Sequence, residues 1–211
     1  MTRRLGLVAA LVALASFGAC IQSLYPIYTD KDLVFEPALV GTWAEKPDSK
    51  ETWRFAKVDD TTYELVQTDE GKTGTFVARL ARVKGTLLLD LYPKDPELTA
   101  TDYYKFHLRS VHSFILVTQI VPMLQMAPMD YDWLKAYLKK NPNAVRHEMV
   151  DEQLVLTAPT RDLQAFVLAH LKTKEAWGEP STMTRVGLQE RRTKNRQRLD
   201  TSRLSYCARK I

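Results

Sequence analysis

Residues 39–121 alternate apolar and polar side chains in short runs that turn residues separate. Residues 51–57 show the pattern, with Trp53 and Phe55 on one face and Arg54 on the other. Such runs, with no helical spacing between them, predict antiparallel strands joined by tight turns. A twisted sheet of this many strands tends to close, because closure removes its exposed edges. We therefore expect a mainly β fold, an antiparallel meander that closes into a barrel.

The predicted elements can be placed along the chain. The barrel strands are expected at residues 39–44, 51–57, 62–68, 75–83, 86–92, 104–109 and 114–121, with a further pair at 144–150 and 153–157. An inserted short helix is predicted over residues 129–140, because Asp130 is a good N-cap and Asn141-Pro142 ends the helix. A second, packed helix follows Thr160, where apolar residues recur at helical spacing up to Leu171.

The first nineteen residues have the layout of an export signal. Arg3 and Arg4 precede an apolar run over residues 5–19, and small residues close it. A positive start, a short apolar stretch and a small-residue cleavage site describe a secretory signal peptide. The apolar run is shorter than the roughly 20 residues that a membrane-spanning helix needs. Residues 1–19 are therefore predicted to be removed.

The end of this run, Phe17-Gly18-Ala19-Cys20, resembles a bacterial lipobox. The resemblance implies cleavage between Ala19 and Cys20 and lipidation of the Cys20 sulfur, with Phe17 standing where leucine is usual. Several acyl chains on one residue suffice for stable membrane anchoring. An ordinary signal peptide, an uncleaved anchor and a Cys20–Cys207 disulfide stay open as alternatives. Ile21, which is not an aspartate, implies delivery to the outer membrane, on its periplasmic face, if the cell has two membranes.

Charge is distributed unevenly along the chain. The net charge is +5, but residues 189–211 carry eight Lys/Arg against two acidic residues, so the central part of the chain is mildly acidic. The high overall pI therefore does not indicate nucleic-acid binding. We divide the chain into a signal peptide (1–19), the lipidated cysteine with a tether (20–38), a barrel domain with two helices (39–188) and a basic tail (189–211), which is predicted to be disordered.

Gly41-Thr42-Trp43 at the start of the first predicted barrel strand resembles the Gly-x-Trp motif of lipocalin-like (calycin) barrels. The order of a meander, a last strand over residues 154–157 and then a packed helix is similar to that family too. The resemblance implies that Trp43 closes one end of the barrel and that Arg161, after the last strand, lies over its ring. A guanidinium over an indole face is a favourable cation–π contact.

The aromatic residues of the predicted strands share one parity, which places them inside the barrel. Such side chains either fill the interior as a core or line an apolar pocket. Asp90, within an apolar run, either points inward as a ligand contact or outward near a strand end. The candidate ligand-binding residues are Trp53, Phe55, Tyr63, Phe76, Asp90, Phe106 and Phe114.

The sequence has few signs of catalysis. It has no glycine-rich phosphate loop and no Cys/His set with zinc spacing, so no cofactor and no metal are predicted. Its four histidines are expected to be structural, and Ser110, His112 and Ser113 lie too close in one turn for a nucleophile and its base. We expect a non-catalytic envelope lipoprotein that binds an apolar small molecule, a lipid or an envelope protein. A membrane-surface hydrolase and a purely structural protein are the alternatives.

Overall fold

The computed structural model describes residues 21–94 and 99–187. The strands are β1 (Gln22–Ser23), β2 (Leu33–Val34), β3 (Gly41–Ala44), β4 (Thr52–Lys57), β5 (Tyr63–Asp69), β6 (Lys72–Val83), β7 (Thr86–Pro93), β8 (Ser113–Gln119), β9 (Leu124–Pro128), β10 (His147–Val150), β11 (Gln153–Leu156) and β12 (Ser181–Arg185). The helices are α1 (Asp102–Phe106), α2 (Tyr131–Lys140) and α3 (Thr160–Ala169). The predictions made for residues 1–20 and for the basic tail lie outside the described residues.

Eight strands form a closed antiparallel barrel, which confirms the predicted fold class. Strands β3 to β9 follow one another around the barrel as a meander, and β12 pairs with both β9 and β3 to close the ring. The long strand β6 pairs with β7 on one side. On its other side it pairs first with β5 and then, farther along, with the short strand β2. Strands β1, β11 and β10 form a separate three-stranded sheet.

Large apolar side chains pack inside the barrel. Trp43, Phe55, Tyr63 and Leu65 are essentially inaccessible to solvent and belong to one buried cluster with residues from the other barrel strands. Edge-to-face contact joins Phe55 to Tyr63, whose ring centroids are 6.3 Å apart. The interior is therefore a hydrophobic core, and the aromatic side chains of the strands help to fill it.

A second core covers the outside of the barrel wall at β6, β7 and β8. The outward side chains of Ala81, Leu88 and Phe114 are buried there. Helices α2 and α3, strand β11 and the N-terminal residues from Ile21 supply the opposing apolar side chains. The predicted helices at 129–140 and after Thr160 are confirmed as α2 and α3, and Asp130 caps α2 by accepting a hydrogen bond from the Trp133 amide, 2.7 Å away.

Trp43 on β3 packs against Arg185, the residue opposite it on β12. The Arg185 guanidinium lies 4.7 Å from the Trp43 ring and donates to the carbonyls of Val40 and Ala38. Gly41 has φ +141°, and a Cβ there would lie 3.0 Å from Arg185 Nη1. The glycine of the Gly-x-Trp motif therefore makes room for the guanidinium.

Three sequence-based expectations were wrong. The last barrel strand is β12, whereas the strand expected at residues 154–157 is β11 (Gln153–Leu156) of the separate sheet. Arg161 lies exposed on α3 rather than over Trp43. Residues 104–109 do not form a strand, because Thr101 and Asp102 start helix α1; the Thr101 hydroxyl accepts from the Tyr104 amide.

No helix among the described residues is long and apolar enough to cross a membrane.

The Arg185 contacts predict a loss of stability on substitution. Arg185→Gln removes the cation–π contact and charge-assisted hydrogen bonds to two carbonyls, so we expect the free energy of unfolding to fall by about 1–3 kcal/mol. Urea denaturation followed by circular dichroism measures this change. Arg161→Gln is the matched control and should leave the midpoint unchanged; an equal effect of the two substitutions would contradict the assignment.

His170 predicts a pH dependence of stability. Its ring lies 4.7–5.0 Å from those of Trp133, Tyr137 and Phe166, and burial among them lowers the pKa of His170 from its ordinary value of 6.5. The unfolded chain then binds a proton more readily, so this contribution is complete above pH 6.5 and is lost as the pH falls toward the lower, folded-state value. It amounts to at most about 1.4 kcal/mol per pH unit.

The measurement is the free energy of unfolding between pH 7.5 and 5, compared with the same series for His170→Phe. The phenyl ring keeps the aromatic packing and removes the titrating group. We expect the variant to show a shallower decline with falling pH; an identical slope would show that His170 does not contribute.

Candidate functional site

The seven residues predicted to bind a ligand do not lie together. Trp53, Phe55 and Tyr63 are in the barrel interior, and Phe76 packs half-buried against that core. Phe114 faces the outer core, because it pairs with Asp90 and its neighbour Ile115 takes the inward position. Phe106 is 72% exposed on α1. Of these residues, only Asp90 makes a hydrogen bond to a residue of the candidate site, His112.

Asp90 points out of the barrel and is nevertheless buried, with only 2% of its surface exposed. Its Oδ2 accepts a hydrogen bond from the backbone amide of Ile27 at 3.0 Å, and its Oδ1 lies 2.7 Å from Nδ1 of His112. Both carboxylate oxygens thus have partners, which a buried acidic group requires. The outward alternative for Asp90 is therefore the observed one, but the side chain is covered by the N-terminal segment.

The carboxylate also fixes the His112 imidazole. The His112 backbone exchanges hydrogen bonds with Ser23, at 2.9 and 2.8 Å, and its ring lies 4.6 Å from the ring of Tyr92. The side chain is 14% exposed. Because Asp90 holds Nδ1, the opposite ring nitrogen, Nε2, makes no hydrogen bond to the described residues and is free to bind another group.

Arg79 lies beside this pair, directly opposite Asp90 in the β6–β7 ladder. Its Nη1 donates to the hydroxyl of Tyr28 at 3.0 Å, and its guanidinium lies 5.3 Å from the Tyr28 ring. Burial raises the pKa of Tyr28, and the charge of Arg79 opposes that effect in part. The Nε of Arg79 is buried and has no hydrogen-bond partner among the described residues.

These groups border a cleft of about 490 Å³ on the outer face of the barrel. Its polar lining comes from Arg79, Arg109, Ser110, His112, Tyr28 and Tyr92. Leu24 and Val77 provide apolar walls. A concave site with apolar walls and a few convergent polar groups is typical of small-molecule binding sites.

Ser110 and His112 both belong to the lining of the cleft. The Asp90–His112 pair orients an imidazole, and Ser110 lines the same cleft, but no hydrogen bond joins Ser110 to His112. Within residues 21–94 and 99–187, no group of three or more His, Cys, Asp or Glu could hold a metal ion. The arrangement is suited to binding by charged and neutral hydrogen-bond donors.

Sequence reasoning missed most of the cleft. The unusual position of Asp90 among leucines identified a residue that holds His112 of the lining, but the partners of Asp90 lie 63 and 22 residues away at Ile27 and His112. Arg79 and Arg109 look like ordinary strand and loop cations in the sequence. An arginine opposite a buried aspartate in a predicted hairpin was the one signal that could have indicated Arg79.

Comparison with protein-family models, with curated proteins and with solved structures gave no match to this chain. A function must therefore be inferred from the chemistry of the cleft, the surface around it and the N-terminal sequence. Fold alone is not a sufficient basis, because one barrel architecture serves many unrelated functions.

The Asp90 contacts predict a substantial cost for Asp90→Asn. The amide keeps the shape but removes the charge from the contact with His112, so we expect the free energy of unfolding to fall by about 1–3 kcal/mol. The midpoint of urea denaturation tests this. Asp60→Asn is the control, because Asp60 forms only an exposed ion pair with Lys57, and it should leave the midpoint unchanged. Equal behaviour of the two variants would show that the Asp90 network does not stabilise the fold.

Proposed function

We propose that this chain is a lipid-anchored, non-catalytic binding protein of the bacterial cell envelope. The support at the N-terminus is the order of charge, apolar run and small residues that ends at Cys20. Acyl chains on Cys20 would attach the protein to a membrane. In a cell with two membranes we place it on the periplasmic face of the outer membrane.

The described chain enters the fold directly after Cys20. Ile21 is buried, Ser23 pairs with His112, and the Leu24 amide donates to the Leu156 carbonyl at 2.9 Å. Thr160 and Gln164 on α3 donate to the carbonyls of Pro26 and Ile27. A lipid on Cys20 would consequently hold the barrel close to the bilayer rather than at the end of a free linker.

The single observation that carries the membrane proposal is the α1 surface, formed by Tyr103, Tyr104, Phe106 and Leu108. All four side chains are exposed, with Tyr103 at 78% and Phe106 at 72%. Lys105 lies among them, and Arg109 follows. Aromatic side chains favour the membrane–water interface, and nearby Lys and Arg favour anionic headgroups.

This surface lies close to the start of the described chain. Phe106 precedes His112 by six residues, and His112 pairs with Ser23. Six residues span at most about 20 Å. Arg109 and Leu24 also line the same cleft. An anchored Cys20 would therefore bring the α1 surface to the bilayer.

The binding part of the function belongs to the cleft. The barrel interior is occupied by side chains such as Trp43 and Tyr63, which leaves the outer-face cleft as the better binding site. Its lining offers positive charge and hydroxyl groups beside apolar walls. A ligand with both polar and apolar parts suits it better than a purely apolar molecule.

Cys20→Ala tests the anchor. We expect native mass spectrometry to show acylated protein for the wild-type chain and none for the variant, and we expect the variant to leave the membrane fraction. Cys207→Ala is the matched control, since it removes the other cysteine, and it should stay acylated and membrane-bound. Membrane retention of Cys20→Ala, or loss of acylation in Cys207→Ala, would contradict the proposal.

A further inference from the structure

We infer that the cleft is a binding site for an oxyanion, a carboxylate or a phosphate, that carries an apolar substituent. The inference rests on the binding role proposed above and is independent of the lipid anchor. Three observations support the inference: N–H groups of Arg79 that have no hydrogen-bond partner among the described residues, the positive charge around the cleft, and its apolar walls.

Arg79 presents an edge suited to an oxyanion. Its bond to the Tyr28 hydroxyl uses Nη1, so Nε and Nη2, which form the other edge of the guanidinium, make no hydrogen bond to the described residues. That edge matches the two oxygens of a carboxylate or phosphate. A buried charged donor without an acceptor is costly, and a bound oxyanion would supply the acceptor after a small shift of the side chain.

The charge around the cleft is favourable to an anion. Arg109 contributes a second guanidinium to the lining. The carboxylates of Asp90 and Asp30 act electrostatically on Tyr28, but neither lines the cleft. Both oxygens of Asp90 are already engaged by Ile27 and His112. The charged side chains that line the cleft are therefore both arginines.

Neutral donors lie beside the two guanidinium groups. The Tyr28 hydroxyl accepts from Arg79, which leaves its own proton free to donate to a ligand. Ser110 provides a second hydroxyl at the cleft. Together with Arg79 and Arg109, these groups can surround an oxyanion from several sides.

The walls indicate that the ligand is larger than a simple ion. Leu24, Val77 and the Tyr92 ring provide apolar surface, and a volume of about 490 Å³ accommodates a small organic molecule. The shared chemistry is thus an anionic head on an apolar chain. A fatty carboxylate and a lipid phosphate both meet that description, and free phosphate meets only half of it.

Calorimetric titration of the purified full chain with hexyl phosphate, hexanoate, inorganic phosphate and hexanol separates these sources. We expect saturable binding of hexyl phosphate or hexanoate, binding of inorganic phosphate at least tenfold weaker, and none of hexanol. Added salt should weaken the binding, because a charge pair is involved. Inorganic phosphate binding as tightly as hexyl phosphate, or hexanol binding as tightly as either amphiphile, would overturn the inference.

Variants locate the site. Arg109 is exposed, so Arg109→Gln should fold normally and weaken hexyl phosphate or hexanoate binding about tenfold. Arg79→Gln should weaken it further, with its fold checked by circular dichroism. Arg54→Gln on β4 is the control for removal of an exposed arginine and should bind as the wild type does. Unchanged binding by Arg109→Gln would place any observed ligand elsewhere.

Loss of binding with the anchor intact refutes this inference alone, and a missing anchor with binding intact refutes only the membrane proposal.

Discussion

Strand β7 is buried on both faces, and most of the molecule is arranged around this constraint. Leu89 and Leu91 face the barrel core, whereas Leu88 and Asp90 face the outer layer. A strand of an antiparallel barrel commonly has one face toward solvent, so the outer side of β7 needs its own cover. The chain supplies that cover from the N-terminal residues before the barrel and from the α2 to α3 region before β12 closes it.

Asp90 is a buried polar residue on the outer face of β7, and its hydrogen bond with Ile27 fixes the position of the N-terminal segment. The segment carries a backbone amide at Ile27 that must find an acceptor once it is buried. The carboxylate provides that acceptor and holds His112 with its other oxygen. Helix α3 holds the same segment from the opposite side through Thr160 and Gln164. The cleft lies beside this cover, at the point where Leu24 and Tyr28 meet the barrel wall.

Local patterns allowed the barrel and two helices to be predicted, because alternation and capping are properties of neighbouring residues. The same patterns conflicted at residues 104–109, where Thr101 and Asp102 favour a helix start and Phe106 and Leu108 favour a strand. The structure has helix α1 there, with Thr101 as its N-cap. Contacts between residues far apart in the chain could not be predicted from the sequence. Nothing near Arg185 indicates that β12 closes the barrel, and nothing near Asp90 indicates its contact with Ile27. The cleft consists almost entirely of such distant contacts.

The N-terminal segment links the two proposals in one geometry. Leu24 is four residues after Cys20, and four residues span at most about 14 Å. A lipid on Cys20 would therefore place the wall of the cleft near the headgroup region, which is several ångströms deep on each side of the hydrocarbon. The α1 surface, with its exposed aromatic side chains, would lie at the same level. An amphiphile with an anionic head could then move between bilayer and cleft while its apolar part stays largely out of water, which lowers the cost of transfer. In these two proposals, attachment to the membrane and selection of an amphiphilic anion would both depend on the one segment that crosses the outer face of β7.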